Sequence, residues 1–170
     1  MKKSALIAII LVISNLAFAG PAKVERELTR EKATEIMGAK DTASKEKYLS
    51  KLADMAGEAG KINGLSGNIK KALMQGDADL LMLVYKSIAK KDEAQLKFIA
   101  EVSAGVKTVD DARGLSKLAE MTYTGNFKAE LLKSIENGKS VEEAIKDASK
   151  AIGKTGNDEI TLKKILDCIA

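Results

Sequence analysis

From Ala22 to Ala170 the chain contains no proline. Proline lacks a backbone donor and its ring clashes with the preceding turn, so it is a strong local bar to a continuous helix. With that bar missing, the abundance of Ala, Leu, Lys and Glu keeps helix propensity high along nearly the whole length, and β-branched runs are scarce. The task of interrupting helices falls to glycine. The chain is therefore predicted to be all-α.

Helix starts can be read from capping residues. Thr108-x-x-Asp111 and Ser140-x-x-Glu143 have the layout in which two side chains reciprocally satisfy the free N–H groups of a first turn. Asp92-x-x-Gln95 is a looser form, and Asn126 and Asn157 are candidate N-caps. Behind these caps the apolar spacing is helical, as in Val141, Ala144, Ile145, Ala148 and Ile152, or Phe127, Leu131, Leu132 and Ile135. Nine helices are expected, near 23–37, 44–56, 62–74, 78–90, 93–104, 108–121, 126–136, 140–152 and 157–169.

The chain also resembles itself. "LSKLADM" from Leu49 returns as "LSKLAEM" from Leu115, and "DEAQLKFIAE" from Asp92 returns as "DEITLKKILD" from Asp158, both at a shift of 66 residues. "KTVDDA" from Lys107 matches "KSVEEA" from Lys139 at a shift of 32. The simplest expectation is about four helical hairpins of roughly 33 residues. One hairpin cannot bury its apolar face alone, so the hairpins stack into a short solenoid or close into a compact helical bundle. The segment "LLMLVY", Leu80 to Tyr85, is apolar all round a helix and is expected to be covered on several sides. The period is that of tetratricopeptide and ankyrin repeats, but the signature residues of neither occur.

Lys2 and Lys3, the apolar run Ala5 to Ile13 and the small-residue site Ala17-Phe18-Ala19 before Gly20 read as a secretory signal peptide, residues 1–19. The apolar stretch is shorter than the ~20 residues a membrane-spanning helix needs. A charged arm, residues 20–40, and a helical-hairpin domain, residues 41–170, are expected to follow. The arm is weakly amphipathic and expected to order on a partner. The address implied is the periplasm or the external medium.

The residue inventory excludes much chemistry. There is no His, no Trp and one cysteine, Cys168, so thiol or imidazole metal sites and His-dependent triads are ruled out. A single cysteine cannot close an internal disulfide; Cys168 reads as a half-buried apolar residue, with a Cys168-linked homodimer as the alternative. Without its first 19 residues the chain carries 26 basic and 24 acidic residues, mixed in sequence, and it has three Tyr and three Phe to stack on bases. No nucleic-acid footprint results.

Three patterns suggest catalysis or nucleotide binding. "ASKAIGKT", Ala148 to Thr155, fits the loosest phosphate-loop pattern, but such a loop needs a strand leading into it, and here the lead-in is helical; Gly153 reads as a helix stop. Ser44-x-x-Lys47, Ser66-x-Asn68 and Lys154-Thr155-Gly156 stand in the order of the penicillin-binding motifs, but that chemistry needs a sheet edge, and the three are expected to be solvated helix-surface residues. Asp110 with Asp111, and Glu142 with Glu143, are adjacent carboxylates; neighbours on a helix point about 100° apart, so they read as complements of helix dipoles. The glycine-rich "GEAGKINGLSGN" from Gly57 reads as a hairpin turn and a weak helix, with a hinge or close-packing face as the alternative.

No catalytic, cofactor-binding or metal-binding residue is assigned. The expected function is that of an exported, non-catalytic helical protein that binds another protein or acts as a scaffold. The alternatives are a secreted carboxylate-dependent hydrolase and a membrane-active or secretion-apparatus component.

Overall fold

Side-chain caps and short glycine turns divide the chain into eight α-helices in the computed structural model, which describes residues 28–121 and 125–152. They are α1 (Arg30–Met37), α2 (Thr42–Ala59), α3 (Ser66–Gln75), α4 (Ala78–Lys90), α5 (Glu93–Ser103), α6 (Val109–Glu120), α7 (Gly125–Glu136) and α8 (Val141–Ile152). A single 3-10 turn, Asn63–Leu65, precedes α3, and no strand occurs among the described residues. The protein is all-α over this region, as the sequence leads one to expect. The expected helix at 157–169, the signal segment and Cys168 lie outside the described residues.

Most boundaries have a visible cause. Thr29, Asp41, Asp77, Asp92 and Thr108 each accept hydrogen bonds from first-turn N–H groups of α1, α2, α4, α5 and α6. The Thr108–Asp111 box is reciprocal, and so is that of Ser140 and Glu143 at the start of α8. Two expected caps differ. Gln95 completes only half of its box: its N–H bonds to Asp92, but its side-chain amide instead donates to the Ala119 carbonyl at the end of α6, 3.0 Å away. Asn126 lies inside the first turn of α7, which begins at Gly125.

The glycine-rich stretch is a turn followed by a helix. Gly60 ends α2, Lys61 takes a left-handed conformation (φ 54), and the 3-10 turn leads into α3. Gly57 sits within α2 where a Cβ would stand 3.1 Å from the Ser66 Cβ, so the missing side chain lets the start of α3 fold against α2.

The core is mainly aliphatic, with Tyr48, Tyr85, Phe98 and Phe127 among it, and is continuous from Leu28 to Ala148. α4 lies at its centre and packs against α1, α2, α5 and α6. Five of the six residues Leu80 to Tyr85 are buried, with Met82 half-buried. This is the all-round coverage expected of that segment. The described part of the charged arm contributes as well: α1 packs on α4 of its own chain, burying Ala33 and Ile36, and Arg30 pairs with Asp79 at 2.8 Å.

Helices that pack substantially are never more than three elements apart in the chain. Some positions related by the 66-residue shift agree in burial, since Leu49 and Leu115, Leu52 and Leu118, and Ile69 and Ile135 are all buried, whereas Leu65 is half-buried and Leu131 buried, and Leu73 is buried and Lys139 exposed. They differ in partners. α2 packs closely on α3, whereas α6, at the shifted position, does not pack substantially on α7, and α7 packs on α8.

Candidate functional site

The sequence motifs are dispersed when placed on the fold. Ala148 to Ile152 form the last residues of α8, so a helix leads towards Gly153; Gly153 to Thr155 lie outside the described residues. Ser44 is in the first turn of α2, where its hydroxyl donates to Asp41 Oδ2 at 2.8 Å. Ser66 opens α3 beside Gly57, and its hydroxyl donates to the Asn63 carbonyl at 3.0 Å. At ~1.5 Å of rise per residue, the stretch of α2 from Ser44 to Gly57 separates these two serines by about 20 Å. Lys154 to Gly156 are not among the described residues. No group of three or more His, Cys, Asp or Glu side chains that could hold a metal ion occurs among the described residues.

The adjacent carboxylates diverge, as the helix geometry requires. Asp110 faces outward to Arg113, whose guanidinium is 3.4 Å away and also approaches Asp77 at 3.7 Å. Glu142 pairs with Lys146 one turn on, and Glu143 accepts the Ser140 N–H at 2.9 Å. That bond, first among its influences, holds the Glu143 carboxyl below the ordinary range.

Asp111 is different. It is the one carboxylate among the buried residues described, 2% exposed, and both of its oxygens are used. Oδ2 accepts the backbone N–H groups of Lys107 and Thr108 and the Thr108 hydroxyl, each at 3.0 Å. Oδ1 accepts the Glu142 N–H in the first turn of α8, at 2.9 Å. One carboxylate thus caps two helices. Burial alone would push its carboxyl upward. The bonds from Glu142, Lys107 and Thr108 together outweigh that and hold it below the usual carboxylate value.

The two helix starts joined by Asp111 are the ones whose sequences match, "KTVDDA" and "KSVEEA". Their joint has further links. The Val141 N–H donates to the Gly105 carbonyl at 3.1 Å, and Lys107 Nζ donates to the Gly138 carbonyl at 2.8 Å. Gly105 must be small, since a Cβ there would stand 2.3 Å from Ile135 Cδ1. Nearby, Asp147 pairs with Lys139 and accepts from Ser134 at 3.4 Å; the Lys139 bond lowers the Asp147 carboxyl and raises the Lys139 ammonium.

A second feature concerns methionine. Met37, Met55, Met82 and Met121 are half-buried at the edge of the core, and Met74 is 38% exposed. None of the fully buried apolar residues is methionine; they are Leu, Ile, Val, Ala, Phe and Tyr. Sequence reasoning missed this segregation, because a methionine at an apolar helical position reads the same whether it lies at the centre or the rim of a stripe. It missed the bridging role of Asp111 too, though the match between the two capping segments is a trace of it.

Among the described helices none is long and apolar enough to cross a membrane. Compared with protein families, curated proteins and solved structures, the chain matches none of them.

Proposed function

We propose that the chain is an exported, non-catalytic helical protein that binds another protein in the periplasm or the medium, its helices stacked as successive hairpins in a short solenoid. The observation that carries the reading is the placement of the methionines. Unbranched thioether side chains adapt to irregular partners and are favoured at binding surfaces. Here the five described ones lie at the surface or rim while rigid aliphatic side chains fill the interior. The short reach of helix packing along the chain, no more than three helices, supports the stacked arrangement. The use of Asp111 as a double cap and of Glu143 as a single one gives these carboxylates structural work that a catalytic role would have to displace.

The test is cross-linking of the mature protein, beginning at Gly20, to native envelope and culture fluid, with Met74→Gln and Met82→Gln run in parallel after circular dichroism shows them folded. The expected outcome is a defined protein partner whose cross-links cluster beside the methionines and whose yield falls severalfold in the variants. A partner bound equally well by both variants refutes the methionine surface. Recovery of the full-length precursor, with no species starting near Gly20, refutes export.

A further inference from the structure

We infer that α7 and α8 form a latched hairpin that lifts off the rest of the protein as one piece, with the Asp111 carboxylate as its catch. α7 and α8 pack on one another more extensively than any other pair of helices, so the hairpin is internally cohesive. Among the described residues, its substantial contacts with the body are with α5 and α6. The polar part of that joint includes the Glu142 N–H on Asp111, the Val141 N–H on the Gly105 carbonyl and Lys107 Nζ on the Gly138 carbonyl, and Lys128 Nζ of α7 stands over the Phe98 ring of α5, 5.2 Å from its centroid. Its apolar part sets Val141 and Ile145 against Gly114 and Ile135 against Gly105. A unit with strong internal packing and a small joint opens at a free energy below that of global unfolding.

The two-sided use of Asp111 makes the opening cheap. Oδ2 keeps its three bonds within the Lys107–Asp111 segment when the hairpin leaves, so no carboxylate is stranded without donors. Only Oδ1 releases its partner, the Glu142 N–H, and both groups then meet water. The open form exposes Ile135, Val141 and Ile145 on one side and the α5–α6 turn on the other.

Hydrogen exchange read by mass spectrometry at neutral pH tests the latch. In the wild-type protein the amides of residues 127–151 are expected to share one opening free energy, lower than that of the α4 amides. Asp111→Asn is the informative variant. Its amide oxygen can serve the Lys107 and Thr108 donors, which turns its NH2 towards the Glu142 N–H and makes the joint repulsive. Exchange in 127–151 is expected to accelerate at least tenfold, with α2 to α5 unchanged within about twofold. Uniform acceleration in all helices overturns the proposal, and so does wild-type exchange of the hairpin at the α4 rate. Lys107→Met, which removes the Gly138 link and the ammonium charge that acts on Glu143, should speed the hairpin severalfold and leave the other helices unchanged. The wild-type comparison decides the matter if Asp111→Asn fails to fold.

Discussion

At Asp111 a single side chain is asked to end two sets of unsatisfied backbone donors, and its loss is correspondingly costly. Asp111→Ala leaves Thr108 and Ser140 in place as caps but takes the acceptor from the Lys107, Thr108 and Glu142 N–H groups, which costs about 3 kcal/mol in stability, measurable by urea denaturation. The acid limb of stability should carry the same mark. The Asp111 carboxyl is held below its unfolded value, so its contribution is complete above the unfolded pKa of ~3.9 and is lost as pH falls through the folded one. Glu31, Asp41, Glu143 and Asp147 are lowered as well and act in the same direction. The midpoint of thermal unfolding is expected to drop steeply below about pH 4, and Asp111→Asn should flatten part of that drop. Tyr48 presents the opposite situation. It is 1% exposed, its hydroxyl has no hydrogen-bond partner among the described residues, and burial first, with Tyr85 nearby second, raises its phenol well above the usual value. Tyr48→Phe is therefore expected to raise stability by up to about 1 kcal/mol in the same denaturation assay.

Helix by helix, the capping residues made much of the fold legible. The boxes at Thr108 and Ser140 and the half-box at Asp92 mark three starts correctly, because a cap is a local interaction between residues three apart. At Gln95 a longer-range partner intervenes, since its side-chain amide leaves its own helix start for the Ala119 carbonyl. At α2 the difference is local: Asp41 is the cap that accepts the Ser44 N–H, so the helix begins at Thr42 and not at 44. The turns illustrate a second limit. The sequence places the end of α2 at 56, before Gly57, but the helix takes Gly57 in and runs to Ala59; the left-handed residue beyond it is Lys61, and at the end of α4 it is Lys91 (φ 52), where no glycine signals it. Since a left-handed conformation is strained for a residue with a Cβ, Lys91→Gly is expected to stabilise the protein by about 1 kcal/mol, seen as a rise in the thermal midpoint. The catalytic-looking serines were separable in the sequence only by argument from missing strands; the length of α2 separates them in space.

Taken whole, the molecule is organised about α4, a short helix touched by α1, α2, α5 and α6. Leu83, on that helix and 8% exposed, cannot be exchanged for a charge without breaking several contacts together. Leu83→Lys should leave no cooperative unfolding transition at room temperature, with far-ultraviolet circular dichroism reporting loss of helix. Such a centre was readable in advance because an all-round apolar run has only one comfortable place in a protein. The assignment of methionine to the rim, by contrast, depends on which helices become neighbours, which composition does not record. That arrangement also has a chemical side. Peroxide turns a thioether into a bulkier, dipolar sulfoxide, and here none of the described methionines is among the fully buried residues. The described body should accordingly keep its helical spectrum after mild peroxide treatment while its outer contour is rewritten, so that oxidative wear would silence what the protein touches before it disturbs how the protein is built.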